Sequence, residues 1–438
     1  MRLNRIIGIG LISLISLVSV SFGAESKPRP LRSYFPAAWG DRLNIQIELR
    51  HRFEYRDNFD FNDLLDDQDG FQLFRSRLNL GIQPIRGLRL FLQLQDARIW
   101  ETENFRTPAF QDTVDIRQAY LEIQIRKHQW ILRVGRQQLT FGNERVIGGF
   151  NWSNVAQSFD GIKLGYRQRK FDVDAFIARK VKIQSGLNEW DSDDTLYGLF
   201  VRYKGLKSAV VEGYVVYRNT DRPISFGPQL TPGDLAETTI GIWINRTPGK
   251  GLDYTLEAAF QLGSFGRDDI RAYAWALRVG YTFDVPWKPR LGFEWDYASG
   301  DDDPTDGTRK TFDNLFPTNH LHYGYMDRLS WQNLNNLRFM LALVPMTRLK
   351  IAFDVHRARV AETADALFNA GRKPYRLAVV PGVSGDVGTE IDVTARVRLN
   401  PLLGILVGYS HFYAGDYLRA TGAADDGEFF YVQTLFRW

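Results

Sequence analysis

From Leu43 to the C-terminus, apolar side chains occupy every second position over long stretches of the chain. The first stretch places them at Leu43, Ile45, Ile47, Leu49, Phe53 and Tyr55, with charged or amide residues at the alternate positions. Successive side chains of a β-strand point to opposite faces, so this period of two predicts strands with one apolar and one polar face. No helical period of comparable strength interrupts the pattern. The sequence therefore predicts an all-β protein.

The connectors between the strands indicate how the sheet closes. The alternation predicts about 18 strands, at 43–56, 71–83, 87–100, 113–126, 129–138, 159–169, 171–182, 194–204, 208–219, 236–247, 252–263, 270–283, 289–299, 333–345, 348–358, 388–400, 402–413 and 427–438. Short turns such as Met346–Thr347 alternate with long connectors such as Leu139–Ser158 and Gly300–Gln332, and Ser264–Asp269 is counted among the long ones. Short turns on one side and long loops on the other are typical of an antiparallel up-and-down transmembrane β-barrel of even strand number.

A soluble β-sandwich or a propeller is the alternative to a membrane barrel. A sandwich of this length predicts Greek-key spacing, a propeller predicts a repeat near about 40 residues, and the sequence has neither. The last strand places Phe430, Val432, Phe436 and Trp438 on one face, which resembles the C-terminal assembly signal of bacterial outer-membrane barrels. A barrel of 18 strands also predicts an aqueous lumen rather than a packed interior.

The first residues predict a targeting segment. Arg2 and Arg5 precede an apolar run at 6–22, and Ser21 and Gly23 provide the small residues of a cleavage site. Basic, apolar and small residues in this order are typical of a secretory signal peptide, whereas a transmembrane anchor needs a longer apolar run. This interpretation divides the chain into a signal peptide at 1–23, a periplasmic segment at 24–42 and the barrel at 43–438. The predicted location is the bacterial outer membrane.

Composition removes several functional classes. The 438 residues include no Cys, which excludes disulfide scaffolds, Cys-ligated metal sites and cysteine nucleophiles. The formal charge of +4 falls to +2 when Arg2 and Arg5 are removed, so net charge gives no reason to expect a nucleic acid partner. A mean hydropathy of -0.29 is too polar for a bundle of membrane helices, but it suits a barrel with lipid outside and water inside.

The polar face of the predicted strands is rich in basic residues. The inward positions assigned from the alternation include Arg50, Arg52, Arg75, Arg77, Arg89, Arg133, Arg338, Lys350, Arg396 and Arg398. Inward acids such as Glu48 and Glu122 leave open that any single Arg forms a structural ion pair. The first three strands nevertheless carry more Arg than acids, and the last strand closes onto the first. We therefore predict a basic wall that favours anions and binds carboxylates through guanidinium forks.

Catalytic and metal sites have weaker support. His320 and His322 lie near Asp327, but no further ligand has a fixed spacing. The Asp-rich stretch that begins at Asp301 does not match a calcium loop, because Phe312 stands where a bidentate Glu belongs. We predict no catalytic residue, no metal and no cofactor, and we interpret the acidic loops as solvated turns.

Several strings resemble those of the alginate export family of outer-membrane porins. They are LRVGRQQLTFG at 132–142, RVIG at 145–148, NWSN at 151–154, SFDG at 158–161, DYASGDDDPTDG at 296–307, FPTNH at 316–320 and YGYMD at 323–327. The resemblance implies one 18-stranded barrel that passes an anionic uronate polysaccharide through an Arg-lined constriction. It implies further that Arg133, Arg136, Arg145 and Asp160 lie at or near this constriction, and that the loop Leu139–Ser158 folds toward the lumen.

Three functions follow as alternatives. The first is passive export of alginate or a similar acidic polysaccharide, and the second is a general porin for anions or other small solutes. The third is a structural or adhesive barrel that binds a partner through its long external loops. The expected surroundings are outer-membrane lipid and lipopolysaccharide, with periplasmic secretion partners left open. The expected oligomeric state is a monomer.

Overall fold

The computed structural model describes residues 42–64, 67–102, 110–125, 129–184, 186–220, 224–225, 232–247, 249–377 and 382–438. The predicted signal peptide lies outside the described residues, as does the predicted periplasmic segment except for Arg42. Both assignments stay predictions.

Eighteen strands form one closed antiparallel barrel, which confirms the predicted fold. They are β1 (Leu43–Asp57), β2 (Asp69–Ile85), β3 (Leu88–Trp100), β4 (Asp112–Ile125), β5 (Trp130–Gln137), β6 (Phe159–Arg167), β7 (Phe171–Lys182), β8 (Glu189–Leu206), β9 (Ala209–Thr220), β10 (Leu235–Arg246), β11 (Gly251–Phe265), β12 (Asp268–Thr282), β13 (Arg290–Ala298), β14 (Leu334–Met346), β15 (Leu349–Arg359), β16 (Asp386–Arg398), β17 (Leu403–Ala414) and β18 (Gly427–Arg437). Each strand pairs with the next in sequence, and β1 closes the ring by pairing with β18, where Leu49 faces Phe436.

Short elements occur in the long loops. They are the two-residue strands Ile224–Ser225, Pro232–Gly233, Thr308–Arg309 and Leu367–Phe368, the strand Pro374–Arg376, the 3₁₀ turn Asn319–Leu321 and the helix Asp416–Thr421. No helix in the described part of the chain has the length and apolar character to cross a membrane.

The two faces of the wall follow the alternation of the sequence. On β12, Ala272, Ala274 and Ala276 are buried on the inner face, whereas Tyr273 and Tyr281 are 47% and 48% exposed on the outer face. Exposed aromatic and aliphatic side chains on the outside are those expected to meet lipid. The small inner residues leave room for chain segments that enter the lumen.

One predicted connector is wrong. Ser264–Asp269 was expected to be a long loop, but β11 continues to Phe265 and β12 starts at Asp268, so that only a two-residue turn joins them. Gly266 occupies this turn with a φ of 59°, a backbone conformation that two-residue hairpins require and that glycine adopts without strain. The alternation of short turns and long loops is therefore interrupted at this hairpin.

Two long loops fill part of the lumen. The β5–β6 loop (138–158) and the β13–β14 loop (299–333) meet where Ile147 bridges Phe316, and the amide of Gly148 donates to the carbonyl of Phe316 at 2.8 Å. Their buried side chains join one apolar cluster with the inner wall, which includes Phe141, Ile147, Phe316 and Trp331. At this level the lumen holds a packed core, and the expectation of a wholly aqueous interior is wrong there.

A glycine allows the β13–β14 loop to approach the wall. Gly324 has a φ of 94°, and a Cβ atom at this position would lie 2.4 Å from Oε2 of Glu390 on β16. Two residues on, the amide of Met326 donates to Oε1 of Glu390 at 2.9 Å. We expect Gly324→Ala to move this loop from the wall and to lower the stability of the barrel by about 1–3 kcal/mol, measured by thermal unfolding in detergent.

The matched control for this variant is Gly307→Ala. Gly307 also has a positive φ, of 76°, but no heavy atom lies within 4 Å of its Cβ position. Backbone strain is thus common to both variants, and only Gly324→Ala adds the clash with Glu390. Equal unfolding temperatures for the two variants would contradict this role of Gly324.

Candidate functional site

Five guanidinium groups form one patch of the inner wall, which we call the basic wall. Its members are Arg50 and Arg52 on β1, Arg75 and Arg77 on β2, and Arg117 on β4, and each is at least nine-tenths buried. Arg50 stands directly opposite Arg75 in the strand register. The carboxylates within ion-pair distance are Glu48, which is 2.8 Å from Arg75 and 3.5 Å from Arg77, and Glu54, which is 2.6 Å from Arg52. The basic wall therefore carries more positive than negative charge.

The β5–β6 loop lies against the basic wall, on the inner side of the barrel. Arg50 donates to the carbonyl oxygens of Asn151 at 2.9 Å, Trp152 at 3.1 Å and Ser153 at 3.1 Å. Arg75 donates to the carbonyl oxygen of Asn151 at 3.0 Å. Carbonyl oxygens satisfy the hydrogen-bonding groups of arginine without cancelling its charge. The loop thus covers the basic wall and leaves its positive field in place.

Carboxylates predominate on the far side of the ring. Those buried on the inner face of β9 to β16 are Glu212, Glu237, Glu257, Glu294, Asp296, Asp354, Glu390 and Asp392, which we call the acidic wall. In a closed ring of 18 strands, β3 lies opposite β12, so the basic and acidic walls face each other across the lumen. A solute at this level experiences a transverse electric field.

Arg145 anchors the β5–β6 loop to the acidic wall. It forms an ion pair with Glu294, lies 3.1 Å from Asp296, and donates to the hydroxyl of Tyr323 at 2.6 Å. Its side chain is 2% exposed. Burial lowers the pKa of Arg145, but Asp296, Tyr323 and Glu294 outweigh burial and raise it above its ordinary value. The predicted inward position of Arg145 is observed, and its charge is neutralised there by the acidic wall.

The other predicted basic residues occupy the inner face nearer the short turns. Arg133 pairs with Glu122 at 2.6 Å, and Arg338 contacts Asp354 at 3.2 Å. Lys350 and Arg396 stand opposite each other on β15 and β16. The more solvent-accessible members of this set are Arg89, Arg133, Lys350, Arg396 and Arg398. They are available to a solute at the short-turn end, whereas the basic wall is covered by the loop.

Arg136 and Asp160 lie elsewhere than the resemblance implied. They pair with each other at 2.8 Å on the same face as Val134 and Ile162, which are 40% and 47% exposed on the outside of the barrel. The reason is the strand period, because Arg133 points inward and a residue three positions later points outward. These two residues therefore do not belong to the lumen.

Sequence reasoning missed Arg117, because the alternation is broken before it. The β3–β4 register shifts between Gln93 and Leu94, and the side chain of Arg117 then reaches Gln93 at 2.7 Å and Gln138 at 2.9 Å. A β-bulge adds one residue to a strand and changes which face the following residues occupy. Strict alternation along β4 makes position 116 an inward, polar position. The apolar Ile116 at this position is the sequence signal that the period of two fails next to Arg117.

The candidate histidines contact other residues of the long loops. The His320 ring stacks on Trp152 at 3.8 Å, and its Nδ1 lies 3.1 Å from Asp327. His322 contacts the carbonyl oxygen of Asn143 at 2.9 Å. Among the residues that the structure describes, no group of three or more His, Asp or Glu side chains is arranged to hold a metal ion.

A cavity of about 820 Å³ opens at the long-loop end, and we call it the vestibule. Its basic lining residues are Arg52, Arg56, Arg328, Lys373 and Arg376, and its acidic ones are Asp60 and Asp327. Trp152 forms part of its floor, with the guanidinium of Arg52 3.8 Å from the ring centre. The vestibule thus joins the external loops to the upper edge of the basic wall.

A hydrogen bond from a backbone amide to a carboxylate links two external loops, and a second carboxylate beside it makes the link depend on pH. The amide of Asp301 donates to Oδ2 of Asp365 at 2.9 Å, which joins the β13–β14 loop to the β15–β16 loop (360–385). Burial, with the nearby charge of Asp365, raises the pKa of Asp301 to about 6. Protonated Asp301 therefore favours the packed arrangement. Its stabilising contribution is complete below the ordinary aspartate pKa of about 4 and is lost as the pH rises through about 6.

We expect current fluctuations from loop movement to be rarer at pH 5 than at pH 8, measured on single channels in a planar bilayer. Asp301→Asn imitates the protonated acid and is expected to keep fluctuations rare at both pH values. The same pH dependence in the native chain and in Asp301→Asn would show that another group is responsible.

Comparisons with known proteins agree with this architecture. The sequence model of the family described as alginate export matches residues 41–432. The chain belongs to the alginate export family. A search of curated protein sequences found no significant match. The family and the barrel together make this chain an outer-membrane channel.

Solved structures share the fold of this alginate export family member. OccK11 (OpdR) of Pseudomonas aeruginosa has 12% sequence identity and a TM-score of 0.60, with 90% of this chain and 96% of that chain covered. The outer membrane protein OprD of the same organism has 12% identity and a TM-score of 0.59, covering 90% and 93%. OccAB4 of Acinetobacter baumannii has 12% identity and a TM-score of 0.59, covering 91% and 98%. At this identity the likeness concerns the fold alone.

Proposed function

We propose that this chain passes an acidic polysaccharide of the alginate type passively across the outer membrane. The observation that carries the proposal is the excess of guanidinium groups on the basic wall, where Arg50 and Arg117 form no ion pair within the described ranges. A positive region within low-dielectric walls concentrates anions and speeds their entry. Membership of the alginate export family supports a polymeric uronate as the anion. No catalytic step is part of this function.

The arrangement of charge also fits the need to release the polymer. A chain of carboxylates that bound only to arginines would be held tightly, because guanidinium and carboxylate form strong paired hydrogen bonds. The acidic wall faces the basic wall and weakens binding on one side of the path. Transport requires entry to be favourable and each site to be weak enough to leave.

A general porin for small anions is the second candidate. The packed segment around Ile147 and Phe316 favours it, because two loops narrow the lumen at that level. For a polymer to pass, the β5–β6 loop has to move away from Arg50 and Arg75 or leave a sufficient gap beside them. A small anion needs no such movement.

Planar bilayers distinguish these functions. The proposal predicts an anion-selective current that uronate oligomers block and that neutral glucose oligomers of equal length do not. Selective current without block by uronates would favour the small-anion porin. An absence of conductance would contradict both functions and favour a structural or adhesive barrel.

A further inference from the structure

We propose that the vestibule is a binding site for acidic sugar units, so that the polymer is held at the long-loop mouth of the channel. This inference rests on the proposed function and adds a second site, which adjoins the basic wall at Arg52. The site is built on Arg328, Lys373 and Arg376, which form no ion pair with a carboxylate within the described ranges, and on the aromatic rings and strained backbone around them.

Arg328 carries a buried positive charge with unused hydrogen-bonding capacity. Its side chain is 8% exposed, it donates to the carbonyl oxygen of Asn58 at 3.1 Å, and its Nε has no hydrogen-bond partner among the described residues. The rings of Phe59 and Phe61 lie 4.1 Å and 4.5 Å from the guanidinium carbon. These rings fix the guanidinium plane but provide no counter-charge. A buried donor without an acceptor is costly. Arg328 lines the vestibule, where a ligand carboxylate would supply the missing counter-charge.

Arg376 and Lys373 add charge to the same cavity. Arg376 donates to the carbonyl oxygens of Asp60 at 3.1 Å and Ala423 at 2.8 Å, which are neutral acceptors. Within the described ranges neither Arg376 nor Lys373 forms an ion pair with a carboxylate. Burial lowers the pKa of Arg328 to about 10, which leaves this group charged at neutral pH. Arg328, Lys373 and Arg376 therefore add loop charge to the vestibule, whereas Arg52 and Arg56, which also line it, both pair with Glu54.

Strained backbone is found in the lining. Phe150 has a φ of 45° and Asp327 a φ of 57°, conformations that cost free energy for residues with a side chain. The hydroxyl oxygen of Thr318 accepts a hydrogen bond from the amide of Phe150 at 3.0 Å, which maintains the conformation of Phe150. Strain of this kind is concentrated at ligand sites, where the surrounding structure maintains it. Its presence on two sides of one cavity supports a binding function for that cavity.

The chemistry of the lining selects the ligand class. A uronate unit presents a carboxylate for Arg328 and an apolar ring face for Phe150 or Tyr375, which both line the cavity. A volume of about 820 Å³ lies within the range of about 300–1,000 Å³ that is usual for ligand pockets. A neutral sugar lacks the carboxylate and leaves the arginine unsatisfied. We therefore expect discrimination between charged and neutral sugars of the same length.

The test measures block of current by a uronate trisaccharide added to one side of an oriented channel. The native chain is expected to be blocked from the long-loop side at about tenfold lower concentration than from the short-turn side, which corresponds to about 1.4 kcal/mol. Arg328→Gln is expected to remove this difference and to leave block from the short-turn side unchanged. Arg271→Gln, on the outer face where its side chain is 67% exposed, is the matched control and keeps the difference.

Other outcomes separate the two proposals. If Arg328→Gln does not fold, the double variant Lys373→Gln/Arg376→Gln tests the same charge on loop surfaces. Uronate block at the same concentration from both sides, unchanged in these variants, would overturn the vestibule site. If the channel is still anion-selective, the proposed function stays intact. A trisaccharide that neither blocks nor permeates from either side would overturn the proposed function itself. If benzoate blocked the current at the same concentration as the uronate trisaccharide, the uronate would be overturned as the ligand.

Discussion

Replacing Arg145 by Met is expected to loosen the β5–β6 loop from the acidic wall and to raise the single-channel conductance. Arg145 is the loop residue that reaches Glu294, Asp296 and Tyr323 on the far side of the lumen. Removing one partner of a buried ion pair costs about 3–5 kcal/mol, because the remaining carboxylates stay buried with less counter-charge. Among the described residues, Glu294 then keeps only Arg338 as an ion-pair partner, at 3.5 Å. The cost falls on the loop contact, since the strand ladder does not depend on this side chain. Conductance in symmetrical potassium chloride measures the change.

A compensating variant provides the control for Arg145→Met. Adding Glu294→Gln and Asp296→Asn removes the buried negative charge that the first change leaves behind. The triple variant is therefore expected to recover part of the loop packing and to have a conductance closer to that of the native chain. If Arg145→Met alone conducted like the native channel, Arg145 would not be the anchor of this loop.

The second large effect concerns the basic wall. We expect Arg50→Gln combined with Arg75→Gln to reduce the anion preference of the channel strongly, measured as a shift of the reversal potential in a salt gradient. Two unit charges 4 Å apart interact by about 4 kcal/mol at an effective dielectric constant of about 20, so two lost charges change the local potential greatly. Glutamine retains an N–H₂ donor for the carbonyl oxygens of the loop, which preserves part of the packing.

The comparison for the basic wall is Arg271→Gln, which removes a charge from the outer face. Its reversal potential is expected to equal that of the native chain, because an exposed charge is screened within a Debye length of about 8–10 Å. A double variant with the native reversal potential would mean that ions avoid the region of Arg50 and Arg75. The selectivity would then depend on the exposed bases at the short-turn end, such as Arg396.

The sequence predicted the strands well because lipid and water act on every residue of the wall. In β1 the alternation from Leu43 to Tyr55 identifies both faces, and the structure places Arg50 and Arg52 on the inner one. The same period, applied strictly, would also have placed Arg136 outside, since Val134 before it is an apolar outward residue. The motif around Arg136 carries no information about strand parity, which decides the face that this residue occupies.

The contents of the lumen were less predictable. Nothing in the period of the chain shows that the β5–β6 loop packs on Phe316, because this contact joins segments far apart in sequence. The resemblance to a family implied the inward loop, but the partners of Arg145 depend on the three-dimensional course of β13. Arg328 lies in a loop without any regular pattern, and only its position beside Phe59 and the vestibule shows what it contacts.

The central claim is that this barrel passes acidic polysaccharide along a positively charged wall. Its most direct test is the efflux of fluorescent uronate oligomers from liposomes that contain the purified chain, compared with neutral glucose oligomers of equal length. We predict faster efflux of the uronates at low salt, with an advantage that declines as the ionic strength rises. Equal efflux of the two oligomers, or retention of the uronates while neutral oligomers escape, would contradict the claim.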